Sequence, residues 1–553
     1  MGKNEFIKMR ILERKILERI LFALLLTFIL LSPFPAFAQS SMESTSAEND
    51  STLYIGKIEI IRKNVFDPEI KDENKKLFLL VNKFHFLTKE RVIRQELLFK
   101  EGEVYDEKLM EESERNLRNL NFLGKVTLEA KRDRERMDVL VRTQDQWSTT
   151  VNFSAQAVGK FYSVEAYMEE HNFLGWGKSL IAGYLKNSER NQRQLTYWDG
   201  NMWGTHLLLQ TDLYDRSDGH LYNFLFSRPF YSLETISAFT VQYLDEKSDM
   251  DYFQEGEELF SFQKKNKQLY LELGRSSGSE KKGVIYWFYQ SQDLSNSFYQ
   301  YSDSQNYGEL LPQNRKLRQS GLSFKLWHPE FEKLSYLDNF GRIEDVDLGW
   351  RFQGTWGWDV CHPFDKRRTD MGSFRFLLPF RLGKKQFLFL AHLTKGELEN
   401  YRWERVLSQT EARIYWTTPY WQTLVMRALS VSSTRQEKGY QLLLGGTNGL
   451  RGFEISRFSG KNEVILNLED RIFSPWRILT VALGGILFFD AGYMGEDNLF
   501  GQKLHADAGA GLLLGFTKSY NWRIVRLDLA KSLDTNDWIV SFGSDLYFEI
   551  GDF

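Results

Sequence analysis

The chain has 553 residues, a net charge of -3 and a pI near 6.3, so it lacks the basic excess that nucleic-acid binding needs. A mean hydropathy of -0.42 is too polar for a bundle of membrane helices, yet 15% of the residues are aromatic, with 43 Phe, 25 Tyr and 15 Trp. A polar chain this rich in rings fits a membrane β-barrel, whose wall alternates lipid-facing and lumen-facing side chains between two aromatic girdles. The single cysteine, Cys361, excludes an intrachain disulfide and is expected to be a small packed residue.

At the N-terminus Lys3, Lys8, Arg10, Arg14, Lys15 and Arg19 precede an apolar run from Ile20 to Leu31, and Ala36-Phe37-Ala38 supplies a small-x-small cleavage pattern. The run ends before Pro33 and Pro35 and is too short to cross roughly 30 Å of hydrocarbon as a helix. Residues 1–38 are therefore expected to be a signal peptide cut after Ala38. The polar, Ser-rich stretch 39–52 reads as a linker.

Residues 53–146 have a mixed pattern: a β-prone stretch from Leu53 to Arg62, two helical stretches, then strands over Lys125–Ala130 and Met137–Thr143. In the second helix Leu109, Ser113, Leu117 and Leu120 recur at spacings of three and four, with Asp106 placed as N-cap. A small β-α-α-β-β domain follows from this order. Beyond Trp147, helical periodicity is lost. Leu207, Leu209 and Leu213 alternate with Gln210 and Asp212; Leu269, Leu271 and Leu273 with Gln268, Tyr270 and Glu272; Val525, Leu527 and Leu529 with Arg526 and Asp528. A period of two that puts charges on the inner face requires a wet or polar-packed interior, as in a barrel lumen. At ~10 residues per spanning strand plus turns and loops, residues 147–553 accommodate an all-β transmembrane barrel of about 16 antiparallel strands. The charged or amide-rich stretches Asp245–Lys267 and Ser291–Arg318 are expected to be loops.

The most specific stretch is Gly445-Gly446-Thr447-Asn448-Gly449-Leu450-Arg451-Gly452-Phe453, followed by Glu469-Asp470-Arg471-Ile472-Phe473 and Phe488-Phe489-Asp490-Ala491-Gly492. A guanidinium in a partly dehydrated lumen must be paired, and a carboxylate that accepts its fork fixes both distance and angle. Clustered glycines permit the sharp turn that re-entry requires. The alternative is an exposed turn with Arg451 in water.

These motifs resemble those of the BamA/TamA outer-membrane protein superfamily, which also includes the two-partner-secretion transporters. In that superfamily a loop carrying (V/L)RG(F/Y) folds back into the barrel and its arginine meets an inner-wall acid. The resemblance implies that Arg451, Gly452 and Phe453 form the inward loop, that Asp490 is the arginine's partner and that Glu469 is a second acid. It extends to Asn64-Val65-Phe66-Asp67, Asn82-Lys83-Phe84-His85, Thr88, the run Val92 to Phe99, Gly102, Tyr105, Leu117-Arg118 and Asp145-Gln146-Trp147, which look like one POTRA domain running into its barrel. Asn172 to Lys178 resembles an early hairpin, and Arg523 to Leu529 with Phe553 the closing strands. The terminal alternation Leu546, Phe548, Ile550 is out of phase with Phe553.

Enzymatic motifs are thin. Gly177-Lys178-Ser179 lacks the earlier glycine of a phosphate loop, since Asn172 stands there, and no Gly-x-Ser-x-Gly elbow is present. With 8 His scattered along the chain no ligand cluster appears, and His85, between Phe84 and Phe86, is expected to be packed rather than metal-bound. The resemblance thus implies a non-enzymatic, cofactor-free protein of the Gram-negative outer membrane, its POTRA domain in the periplasm. Its partners are outer-membrane lipid, unfolded outer-membrane or secreted polypeptides received by the POTRA domain, and a periplasmic accessory protein, with no nucleic acid; the client-binding residues are unassigned. The alternative is a structural or lipid-handling barrel anchored through the POTRA domain to a periplasmic partner.

Overall fold

A computed structural model describes residues 53–553 apart from 159–160, 188–189, 255–256, 279, 299–302, 363–367, 419–420, 447, 497–501, 521–522, 545 and 549–553. The expected signal peptide and linker, residues 1–52, lie outside the described residues, as do Ile550 and Phe553.

The first domain is a three-stranded sheet covered by helices. Strand β1 (Tyr54–Lys63) runs parallel to β3 (Arg136–Asp145), which pairs antiparallel with β2 (Leu123–Asp133), giving the order β1-β3-β2. The helices are α1 (Lys76–Phe84), α2 (Glu90–Gln95) and α3 (Glu107–Asn119), one more than the apolar spacing indicates. The side chain of Asp106 caps α3 by accepting from the Lys108 amide at 2.8 Å. Ile93, Leu117, Val139 and Val141 are wholly buried between helices and sheet. The outer edge of β1 is covered by backbone bonds to residues 102–103, whereas β2 pairs with β3 alone among the described residues.

From Thr149 onward the chain is a closed antiparallel barrel, each strand bonded to its sequence neighbour, and the last strand, Trp538–Ser544, returns to the first, β4 (Thr149–Val158). Among the described residues twenty-one strand segments take part, one of them the two-residue Arg477–Ile478. This exceeds the expected sixteen because many connections are tight: Arg216 is followed two residues later by the strand starting at Gly219, and Gly383 by the one starting at Gln386. The alternation behaves as the pattern requires. Leu213, Leu527 and Leu529 are exposed on the outer wall, while Asp212 is buried within, accepting from Thr196 and Gln210, and Asp528 is buried beside Arg526. An outer wall carrying so many exposed Leu, Phe and Trp is tolerable only in lipid. Among the described residues no helix is long and apolar enough to cross a membrane.

The stretch Asp245–Lys267 is not a loop. Its charges lie on two long strands, Ser237–Gln254 and Glu257–Ser277, and Ser291–Phe298 likewise continues a strand. Strands that continue past the hydrocarbon have no reason to stay apolar, so charge alone misplaces their ends. At the closing end, Leu546 and Phe548 are not strand residues. After Ser544 the chain turns inward, and both side chains are buried in the apolar clusters of the interior.

Candidate functional site

The loop between the strands Gln422–Thr434 and Asn462–Ile472 folds back into the barrel. Gly445, Gly446 and Gly449 all have positive φ, which allows the chain to reverse without a steric penalty. The turn delivers Leu450, Arg451 and Phe453 to buried positions.

Arg451 meets both expected acids. Its Nε donates to Asp490 Oδ2 at 2.7 Å, a second guanidinium nitrogen to Asp490 Oδ1 at 2.8 Å, and the third to Glu469 Oε1 at 2.7 Å. A bidentate fork of this kind fixes the angle as well as the distance. The guanidinium carbon lies 3.8 Å from the Phe488 ring centroid and 4.6 Å from that of Tyr547, so all of its faces are occupied. Burial opposes its charge, but Asp490 and Glu469 outweigh that cost and hold its pKa above the usual range. At Gly452 an added Cβ would lie 2.4 Å from the Asp507 Cβ, so only glycine lets the loop approach the wall this closely. Phe453 packs edge-on against Phe458 and His505.

Several participants escape sequence reasoning. Asn467 donates to Asp490 Oδ1 at 2.7 Å and to the Gly449 carbonyl at 2.9 Å. Arg471, wholly buried, bonds Glu469 at 2.8 Å, Asp338 at 2.5 Å and the Phe548 carbonyl at 2.7 Å. The Tyr547 hydroxyl accepts from the Gly449 amide and donates to the Gly446 carbonyl at 2.9 Å. The inward loop is therefore held by the C-terminal segment as well as by the wall. Arg471 belongs to the quoted motif, but the sequence assigns it no role there. No local pattern announces Tyr547.

Asp338 comes from the connection between the strands Arg315–Trp327 and Arg351–Asp359. This connection forms a hairpin of its own, Phe331–Leu334 paired with Glu344–Asp347, and its tip enters the lumen. Phe340 packs edge-on against Phe473 with centroids 5.1 Å apart, in the same buried cluster as Ile486, and Leu337 belongs to the cluster of Phe389 and Tyr415. Burial and the neighbouring Asp338 raise the Glu344 pKa well above normal, and its carboxyl accepts the Leu337 and Asp338 amides. The base of the hairpin meets the first domain. Arg118 forks onto Asp345 at 2.7 and 2.8 Å, Arg342 donates to Asn121 at 2.7 Å and Lys333 pairs with Glu114 at 2.6 Å. A continuous set of polar contacts thus runs from α3 through the hairpin and Arg471 to Arg451.

The domain junction is similarly tied. Asp145 accepts from the Thr88 amide at 2.7 Å and hydroxyl at 2.8 Å, and the Thr88 hydroxyl also accepts from Asn172 at 2.8 Å, in the turn before Lys178. Burial pushes the Asp145 pKa up to about 7. His85 is packed, with Nδ1 3.0 Å from Asn64 Oδ1, and burial lowers its pKa. Cys361 is half-buried, and its amide donates to Asp359. Among the described residues no group of three or more His, Cys, Asp or Glu is placed to hold a metal ion.

Residues 85–144 match the POTRA family model described as surface antigen variable number repeat. A protein of Treponema pallidum (strain Nichols) named as an outer membrane protein assembly factor is 28% identical over 133 residues, which are 23% of this chain and 16% of that relative. The chain therefore spans about a sixth of that relative's length. Among solved structures, BamA from Haemophilus ducreyi lacking POTRA domains 1–3 aligns over 89% of this chain and 84% of its own, at 13% identity and a TM-score of 0.35. CdiB from Acinetobacter baumannii aligns over 90% and 74%, at 13% identity and a TM-score of 0.44.

Proposed function

We propose that this POTRA-bearing barrel of the BamA/TamA superfamily is an outer-membrane protein that inserts or translocates polypeptide clients, its POTRA domain in the periplasm. The observation that carries the reading is the seam. Apart from the two-residue Arg477–Ile478, the strands of the barrel are joined by long registers, whereas among the described residues β4 and the seven-residue strand Trp538–Ser544 share one registered pair, Ser541 with Gln156. A weakly closed seam leaves strand edges that an incoming strand can pair with, which gives affinity with little demand on sequence.

The remaining parts take roles around that opening. The unpaired edge of β2 receives an extended client segment. Arg451, Gly452, Phe453, Asp490 and Glu469 lock the inward loop, and the lock keeps the wall beside the seam rigid while the seam yields. Tyr547 and Phe548 tie the segment after the last strand to the same lock, so that strand is held on its lumen side while its seam side is weakly paired. Binding and strain do this work and no chemical step is needed.

The test is quantitative proteomics of the outer membrane and the culture supernatant after depletion of the protein. Loss of many barrels marks an assembly role, and loss of one secreted protein a dedicated exporter. If neither changes, a structural or lipid-handling barrel with its POTRA domain on a periplasmic partner replaces this reading.

A further inference from the structure

Helix α1 turns its apolar stripe the wrong way for a folded domain. Phe78 faces inward and stacks on Phe66 with centroids 4.3 Å apart. Leu77, Leu80 and Phe84, spaced by three and four, lie on the outward face, with Leu77 62% and Phe84 71% exposed. Phe86, just past the helix, is exposed as well. Three large side chains on one helical stripe and a fourth beside it make an apolar patch that no other residue among the described ones covers.

Two observations identify what covers it. The first is charge: from Lys75 to Lys89 the sequence carries Lys75, Lys76, Lys83 and Lys89 and no Asp or Glu, and Lys76 and Lys83 flank the stripe. Lysines beside an apolar stripe can lay their stems along hydrocarbon and keep their ammonium groups at anionic headgroups. The second is continuity with the lipid-facing wall. The Lys89 amide donates to the Gly175 carbonyl at 2.9 Å, and its ammonium sits 4.1 Å over the Trp176 ring. Gly175 approaches so closely that a Cβ there would stand 2.5 Å from the Leu87 carbonyl oxygen. The turn thus clamped carries exposed Phe173, Leu174 and Trp176 and joins strands whose outer faces present Met168 and Leu180. The patch on α1 therefore adjoins the rim of the barrel's lipid belt, on the side where Trp147 and β4 begin the seam.

We infer that α1 is an interfacial anchor whose Leu77, Leu80 and Phe84 lie in the anionic phospholipid leaflet bordering the barrel beneath its seam. The lysines confer a preference for acidic headgroups, and the anchor holds the POTRA domain against the membrane where clients would enter. This goes beyond the proposed function, since it would stand for a barrel of any cargo.

The test uses the full chain in a Cys361→Ser background, reconstituted in phosphatidylethanolamine vesicles with or without phosphatidylglycerol. A nitroxide is attached at Leu80→Cys, or at Glu135→Cys in the β2–β3 turn as the control, and collision with oxygen is compared with collision with a water-soluble nickel chelate. With phosphatidylglycerol the oxygen-to-nickel ratio at position 80 is expected to exceed the control by about threefold or more, as for a residue seated 5–10 Å into the interface. Lys75→Gln, Lys76→Gln and Lys83→Gln together should abolish that excess while the barrel keeps its heat-modifiable migration. A position 80 as open to the chelate as position 135 in both lipids overturns the anchor. An equal ratio with and without phosphatidylglycerol overturns the acidic-headgroup preference.

Discussion

Replacing Arg451 by alanine leaves Asp490 and Glu469 buried without their guanidinium. Removing one partner of a buried ion pair costs about 3–5 kcal/mol, chiefly through the stranded charge. Here the lower end applies, because Asp490 keeps a bond from Asn467 and Glu469 keeps Arg471. About 3 kcal/mol, at 1.4 kcal/mol per decade, raises the population with the loop released by roughly a hundredfold. The assay is hydrogen exchange of the amides of residues 448–453, which report local opening directly. Arg451→Lys should fall between wild type and alanine, since an ammonium keeps the charge but cannot form the fork. Arg451→Ala with Asp490→Asn should recover part of the loss by removing one orphan charge. Unchanged exchange in Arg451→Ala would refute the lock.

Three further outcomes follow from the same geometry. Gly452→Ala places a methyl 2.4 Å from the Asp507 Cβ and should cost about 1–3 kcal/mol, read as faster loop exchange with the salt contacts intact. Asp338→Ala leaves Arg471 with one bonded acid and should release the lumen hairpin, seen as protease cleavage within residues 331–347 that wild type resists. Asp145, with its folded pKa raised to about 7, binds its proton more tightly folded than unfolded. Its contribution to stability is complete below the unfolded value near 4 and is lost as pH rises through about 7, a change on the order of 4 kcal/mol. Asp145→Asn should therefore flatten the pH dependence of POTRA denaturation between about pH 4 and 7, and a slope identical to wild type would contradict this.

How much could be read in advance depended on whether a feature is local. The two-residue alternation of Leu213 against Asp212, and of Leu527 against Asp528, reveals strands with a polar inner face from neighbouring letters alone, whereas the choice of a barrel over a sandwich rests on the aromatic load, the N-terminal segment and the absence of edge protection. The arginine of the Leu450-Arg451-Gly452-Phe453 stretch and its acids were legible because glycines and carboxylates recur at recognisable spacings. The third helix was not, since α2 is only six residues long and too short to show a period. Strand ends failed at Asp245–Lys267, where charges ride on strands beyond the hydrocarbon. The lumen hairpin is the largest omission. Nothing in Ser335 to Gly341 indicates that Asp338 bonds Arg471, 133 positions away, or that Phe340 is buried against Phe473. Tyr547 bonds Gly446 and Gly449, about a hundred residues upstream in the loop it holds, and the Phe548 carbonyl accepts from Arg471 on the strand Asn462–Ile472, so no local pattern shows either contact.

The most direct measurement is a seam lock. Cysteines at the registered pair Gln156 and Ser541, in a Cys361→Ser background, are oxidised in the purified protein, which is then reconstituted in vesicles and supplied with an unfolded outer-membrane barrel. Client insertion should stop with the seam crosslinked and return on reduction, whereas either single-cysteine variant should be insensitive to oxidant. Insertion at the wild-type rate through a fully crosslinked seam would contradict the proposed route.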